Sequence, residues 1–264
     1  MDQGVVALVL GAFTFPPIDE IFVWKDIWFK GTPFAINKTS LLVLVSSALI
    51  VFLFIKGSRK MQLLPRGLQN IVEMSYEFVD RGITKDIMGP TAGGWTPFLG
   101  TLFFFILFLN IWEIIPGIQF PPTSRMGIPG FLAIMVYFVY LATGFKSQGF
   151  KYLTGHLFPP GVPKALYILV TPIEFLSTFL VRPFSLAVRL FANMLAGHLL
   201  LVTFAVLTDT LLLAKAVYLK PVFILPAAMD VGVTGFEVLV AVLQAFIFTI
   251  LTAVYLGGAM HPEH

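Results

Sequence analysis

Residues 165–213 read ALYILVTPIEFLSTFLVRPFSLAVRLFANMLAGHLLLVTFAVLTDTLLL, and how this run is threaded decides the fold. It is apolar apart from Pro172, Glu174, Arg182, Pro183, Arg189, His198 and Asp209. As one helix it would extend about 74 Å at about 1.5 Å per residue, against a bilayer hydrocarbon core of about 30 Å. Either it makes two spans that turn near Arg182-Pro183, or it is one long helix lying steeply tilted. Leu180–Phe184 contains no Gly and little polarity, which disfavours a tight reversal. The expectation is therefore a single tilted helix, bent at its prolines.

Four further apolar runs flank it. They cover about 41–55 (opened by Thr39-Ser40, closed by Lys56), 95–115 (with Trp95 and Trp112 at interfacial positions), 130–145 and 222–256. The chain thus reads as an all-α membrane protein of about five spans. Its last two helices would form a long, steeply tilted hairpin turning near residue 217. Composition agrees: 58% of the 264 residues are hydrophobic, 12% are charged, and mean hydropathy is +0.90. No run of short alternating segments points to a β-barrel. With no cysteines, disulfides and thiolate metal sites are excluded. The pI near 9.1 and net charge of +3 fit loops that anchor on anionic lipid. Basic residues scattered between apolar runs do not make a nucleic-acid surface. No Gly-x-x-x-x-Gly-Lys-Ser/Thr loop is present, so nucleotide chemistry is not expected in this chain.

Residues 1–38 read as an extracytoplasmic segment and 39–264 as the membrane domain. Val5–Phe13 is apolar, but Asp2 precedes it and no basic n-region is present. A surface or membrane-dipping stretch is expected there rather than a cleaved leader. Between the first two spans, at about 65–83, Leu68, Ile71, Val72, Tyr76, Val79 and Ile83 recur at helical spacing. Asn70, Glu73, Glu77 and Asp80 oppose them. This predicts an amphipathic helix on the cytoplasmic membrane surface, the alternative being a solvated connecting helix. With five spans, one side carries six Lys or Arg and the other nine, which places the N-terminus outside and the C-terminus in the cytoplasm.

Ionisable groups at membrane depth call for a partner or a function. Arg189 lies too far from either end of its run to snorkel easily. At 100° per residue, Thr178, Arg182, Ser185, Arg189, Ala192, Asn193, Ala196 and Thr203 fall on one polar or small stripe, with Leu200 as the exception. Such a stripe permits close approach of another helix, and an arginine on it points to an acidic partner or to an ion pair within the chain. His198, nine positions on, points the opposite way, into the protein. Glu237 and Gln244 share a face of the last span, with Tyr255 further along it. In an antiparallel pair of helices, residues at equal depth have nearly constant sums of their numbers. Arg189 with Gln244 and His198 with Glu237 both meet that condition, and His198–Glu237 is the expected side-chain pair. Asn110 and Glu113 share a face at the outer end of the second span. Glu113 either lines an aqueous path or reaches the headgroups, and the same two readings apply to Glu174.

The stretch Arg182-Pro-Phe-Ser-Leu-Ala-Val-Arg189-Leu-Phe-Ala-Asn193-Met-Leu-Ala-Gly197-His198 closely resembles the signature of the subunit a family of F-type ATP synthases. The likeness continues in Leu243-Gln244-Ala-Phe-Ile-Phe-Thr-Ile-Leu-Thr-Ala-Val-Tyr255-Leu and, more weakly, in Phe108-Leu-Asn110-Ile-Trp-Glu113-Ile-Ile-Pro116. The resemblance implies a non-catalytic stator subunit of the F0 sector that conducts protons to the carboxylates of a rotating c-ring, without cofactor or metal. It further implies peripheral-stalk subunit b as a partner, the F1 sector as an indirect one, and a bacterial inner membrane as the location. Arg189 would be the arginine that faces the ring, with Asn193 and Gln244 as polar neighbours. His198 stands where many members have Glu and Glu237 where they have His, so the pair is kept with its helices exchanged. Glu113 keeps a family carboxylate. Ser185 and Glu174 would lie by a cytoplasmic half-channel, although the spacing of Glu174 to Pro183 is shifted by one. Two rival readings fit the sequence less well. A self-contained transporter holding an anionic substrate at Arg189 lacks an obvious internal repeat. An intramembrane enzyme using His198 and Glu237 lacks a third ligand or a nucleophile.

Overall fold

The computed structural model describes residues 27–28, 35–59, 62–90, 92–152, 166–214 and 217–260. Most of the N-terminal segment, including Val5–Phe13, lies outside them. Every long element is helical: α1 (Lys38–Ser58), α2 (Leu68–Val79), α3 (Thr96–Ile111), α4 (Gly127–Gln148), α5 (Tyr167–Leu176), α6 (Arg182–Leu212) and α7 (Ile224–Met260). Helices satisfy their own backbone polar groups, which an apolar solvent requires. Hydroxyls follow the same rule: Thr101, Thr143, Thr203, Thr208, Thr234, Thr249 and Thr252 each donate to the carbonyl four residues back in their own helix.

Five helical stretches are long and apolar enough to cross a membrane: Lys38–Ser58, Ala92–Ile111, Gly127–Gln148, Tyr167–Leu212 and Tyr218–Met260. The decisive run is therefore one helical stretch of 46 residues with no reversal at Arg182-Pro183. Its interruption is a π-turn, Ser177–Val181, joining α5 to α6. The cause is Pro183, which has no N–H and whose ring would collide with the carbonyl four residues earlier in a straight α-helix. The widened turn carries Arg182 N–H to the carbonyl of Ser177, five residues back. The departure from α geometry thus sits in the turn before Pro183, while Pro172 is accommodated inside α5.

The second span, Ala92–Ile111, is displaced toward the N-terminus from the expected 95–115. Its helix stops at Ile111, and Glu113 and Ile114 N–H close tight turns on the carbonyls of Asn110 and Ile111. Pro116 and the positive φ of Gly117 (87°) then redirect the chain. The start of α1 is also earlier than expected: Asn37 Oδ1 accepts the Ser40 N–H at 3.0 Å and serves as the cap.

The chain divides into two compact units, to which α1, α3, α6 and α7 each contribute. The first contains Leu109–Arg125 and Ala192–Val242 together with the beginning of α1. The second contains Ser46–Phe108, Met126–Phe191 and Leu243–His264. In the second unit, the guanidinium of Arg182 lies 5.6 Å from the Tyr255 ring centroid. Ser147 Oγ and Gln148 Nε2 there donate to the terminal carbonyls of α7 at Met260 and Ala259.

Helix α2 keeps the expected solvated polar face, with Asn70, Glu73 and Glu77 exposed, and ends at Val79, where a π-turn (Asp80–Lys85) takes over. Val79 and Ile83 are fully buried, and Phe78 packs on Phe103 and Phe246. Asp80, assigned by periodicity to the solvated face, is buried and accepts hydrogen bonds from Thr96 Oγ1 (2.6 Å) and Lys85 Nζ. A buried carboxylate needs such donors, and the Lys85 and Thr96 bonds hold it below the ordinary carboxylate range. Thr96→Val is expected to destabilise the purified complex by about 1.5–3 kcal/mol, the usual cost of losing a hydrogen bond to a charged group. Because the folded pKa is depressed, this stabilisation is complete above the ordinary value of 3.8 and is lost as pH falls through the lower folded value. Thermal unfolding with and without the substitution, run across that range, checks both statements.

Candidate functional site

In the first unit, buried polar groups gather around the end of α3, the loop after it, and α6 and α7. Asn110 is fully buried; its Nδ2 donates to the carbonyl of Ala241 (3.3 Å) and its Oδ1 accepts from Thr123 Oγ1 (2.7 Å). Glu113 (1% exposed), Glu237 (3%) and His198 (4%) are all buried in this unit. Burial of Glu113 within the protein is in keeping with the path-lining reading. Oε1 of Glu113 and Oε2 of Glu237 have no hydrogen-bond partner among the described residues. A buried carboxyl oxygen in that state is costly unless a water or a proton reaches it.

Gly197 makes room for this cluster. A Cβ there would overlap the carboxyl group of Glu237, so the absence of a side chain on α6 is what lets the carboxyl from α7 sit against it. The contact fits the antiparallel pairing expected from residue numbers and puts Glu237 beside the residue preceding His198. The His198 ring meets Phe120 edge-on (5.6 Å, 88°). Lys38 Nζ and the Arg125 guanidinium each lie 5.8 Å from the same Phe120 ring, and Lys38 also donates to the carbonyl of Ile118 (3.0 Å). Sequence reasoning missed Thr123, Phe120, Lys38 and Arg125. They come from a loop and a helix start, where no periodicity assigns a direction.

In the second unit Arg189 is exposed, with no ion-pair or hydrogen-bond partner among the described residues. Further along α6, Ala192, Asn193, Ala196, Leu200 and Thr203 are exposed as well. Gln244 is buried, and no hydrogen bond joins it to Arg189, in line with matching level but not contact. Ser185 is half-buried and donates to the Arg182 carbonyl at 3.3 Å. Glu174 is half-buried on α5.

Two members of the expected stripe leave it. Thr178 is buried, because the π-turn breaks the 100° count that placed it with Arg189. Arg182 is half-buried, its guanidinium drawn sideways onto Tyr255. The same turn bears on Glu174. It holds one residue more than an α-turn, so a spacing shifted by one need not carry Glu174 to another face.

The profile of the ATP synthase A chain family matches residues 40–257. The chain belongs to this family. ATP synthase subunit a of Frankia alni is 41% identical over 257 residues, covering 94% of this chain and 87% of the relative. That of Rhodococcus erythropolis is 38% identical, covering 98% and 95%. That of Streptomyces lividans is 38% identical, covering 97% and 88%. Family membership and five apolar helices together make this a multi-pass membrane protein of the subunit a type.

The geometry predicts that Gly197→Ala destabilises the assembled protein by about 1–3 kcal/mol, the usual cost of overpacking. Glu237→Asp, which withdraws the carboxyl by one methylene, should restore part of that loss when combined with it. Thermal dissociation of the purified complex measures both, and equal stability of Gly197→Ala and the parent would show that the contact does not constrain the fold.

Proposed function

We propose that this chain is the proton-conducting stator subunit of an F-type ATP synthase, and that Arg189 separates two aqueous half-channels. The observation that carries the reading is the exposure of Arg189. A permanently charged guanidinium sits far inside a 46-residue apolar helical stretch, without an ion-pair partner among the described residues, in a helix that also exposes small residues. A cation there is costly by about 2.5–17 kcal/mol unless something neutralises it. The carboxylates of a c-ring packed on that face are the partner of the right charge, and arginine keeps its proton at any working pH.

In this mechanism protons enter from outside through Asn110, Glu113, His198 and Glu237. These groups supply two carboxyls and an imidazole in one buried cluster, where protons can pass by way of single waters. A ring carboxylate takes up the proton, and the neutral site rotates through lipid without the cost of a bare charge. After nearly a full turn it releases the proton into a cytoplasmic half-channel near Glu174 and Ser185. Arg189, with Asn193 and Gln244 near its level, then stabilises the ionised carboxylate and repels protons that would cross directly. Each charge moved through 100 mV yields about 2.3 kcal/mol. ATP chemistry belongs to the F1 sector, reached through the ring and a peripheral stalk containing subunit b. The N-terminus faces outward and the C-terminus the cytoplasm of a bacterial inner membrane.

Arg189→Ala in the assembled complex should abolish ATP-driven proton pumping in inverted vesicles and raise passive proton leak. Normal pumping in an intact complex would overturn the separator role and the mechanism with it.

A further inference from the structure

The π-turn between α5 and α6 leaves one backbone group in an unusual position. In an α-helix the carbonyl of Thr178 would accept from the N–H of Arg182, but that N–H is directed to Ser177. In a regular π-helix it would accept from residue 183, which is proline and has no N–H. Neither backbone donor is available, in a place where Thr178 is buried. The hydroxyl of Tyr140, on α4, fills the gap by donating to this carbonyl at 2.9 Å. Tyr140 is itself buried, held between the rings of Tyr137 (5.4 Å) and Tyr255 (6.0 Å), and Tyr255 carries the Arg182 guanidinium on the other side of the turn.

A π-turn is a single extra residue taken up within a helix, so whether it forms decides how the two flanking segments are rotated about the axis. If the turn closed to α geometry with the same residues, α5 would rotate by about 100° relative to α6, one residue's worth of helix. We propose that Tyr140 is a positioning residue: its hydroxyl, together with Pro183, holds the π-turn and thereby sets the face on which α5 presents Glu174 relative to Arg189. The proposal rests on the reading of α5 and α6 as the proton-path helices for its purpose, but not for its geometry. Thr178, Pro183 and Tyr140 form one backbone-satisfying device, none of whose members needs to touch a proton.

The chain contains no cysteine, so a single introduced cysteine is the one thiol in this subunit once it is separated from the others after labelling. Cysteines placed in turn at Ile173, Glu174, Phe175 and Leu176 in the whole complex give a profile of reactivity toward a water-soluble thiol reagent. Tyr140→Phe keeps the ring and removes only the donor. It should move the most reactive position by one residue, or level the profile over the four, while a cysteine at Ser185 keeps its reactivity. It should also lower ATP-driven pumping about fivefold, in keeping with one neutral hydrogen bond. Deleting Leu180 together with Pro183→Ala builds an α-turn with the flanks in their original rotation. In the Tyr140→Phe background this should return both profile and pumping toward the parent. An unchanged profile in Tyr140→Phe overturns the proposal, whatever happens to pumping. So does a shifted profile when the deletion and Pro183→Ala are made with Tyr140 intact, which tests the rotation set by the π-turn even if Tyr140→Phe fails to assemble. The profile reports geometry alone, so its failure is distinct from failure of the proton-path reading, which Arg189→Ala tests.

Discussion

The constraint on which the rest depends is that an apolar solvent leaves no backbone polar group a partner outside the protein. It forces long uninterrupted helices and makes the places where a helix cannot satisfy itself conspicuous. Pro183 creates one such place, and the π-turn with the Tyr140 hydroxyl resolves it. The end of α3 creates another, where tight turns from Glu113 and Ile114 N–H take over the backbone hydrogen bonding. Both irregularities lie beside groups with a role in proton transfer as proposed. That association has a physical reason: aqueous access and non-helical backbone are tolerated in the same surroundings, those enclosed by protein rather than lipid.

Charge is distributed by the same logic. Carboxyls and imidazole can shed their charge by exchanging a proton, so enclosure within the protein suits them, and Glu113, Glu237 and His198 are enclosed. Arginine cannot shed its charge. Burying Arg189 without a counter-ion would be prohibitive, whereas exposing it on a helix that also shows small residues leaves neutralisation to a partner. Arg182, on the same helix, is placed differently: its guanidinium lies over the ring of Tyr255. Two arginines seven positions apart thus differ in environment: one is half-buried over an aromatic ring, the other exposed.

Helix number, the single long stretch and the antiparallel pairing of the last two helices were legible in the sequence, because length and residue sums follow directly from helix geometry. The burial of His198 and the exposure of Arg189 and Asn193 followed from counting 100° per residue inside an unbroken helix. The count failed for Thr178, where the backbone departs from α geometry. It failed in another way for Asp80: periodicity identifies a polar face but not a buried donor such as Thr96, sixteen residues on. Phe120, Thr123 and Arg125 were illegible for a third reason. They lie in a segment redirected by Pro116 and Gly117, where no period connects sequence to direction.

The exchange of His and Glu between α6 and α7, inferred from the family resemblance, has a geometric basis in Gly197. A carboxyl on α7 needs a place close to the α6 backbone, and only a residue without Cβ provides it. The imidazole on α6 needs a broader surface, and the edge contact with Phe120 supplies one. If the cluster conducts protons as proposed, its action depends on the set of titratable groups held in one small enclosure, not on which helix bears each. What the surrounding residues must then supply is volume of the right shape at each position. That requirement falls on residues with no acid–base chemistry of their own, Gly197 and Phe120.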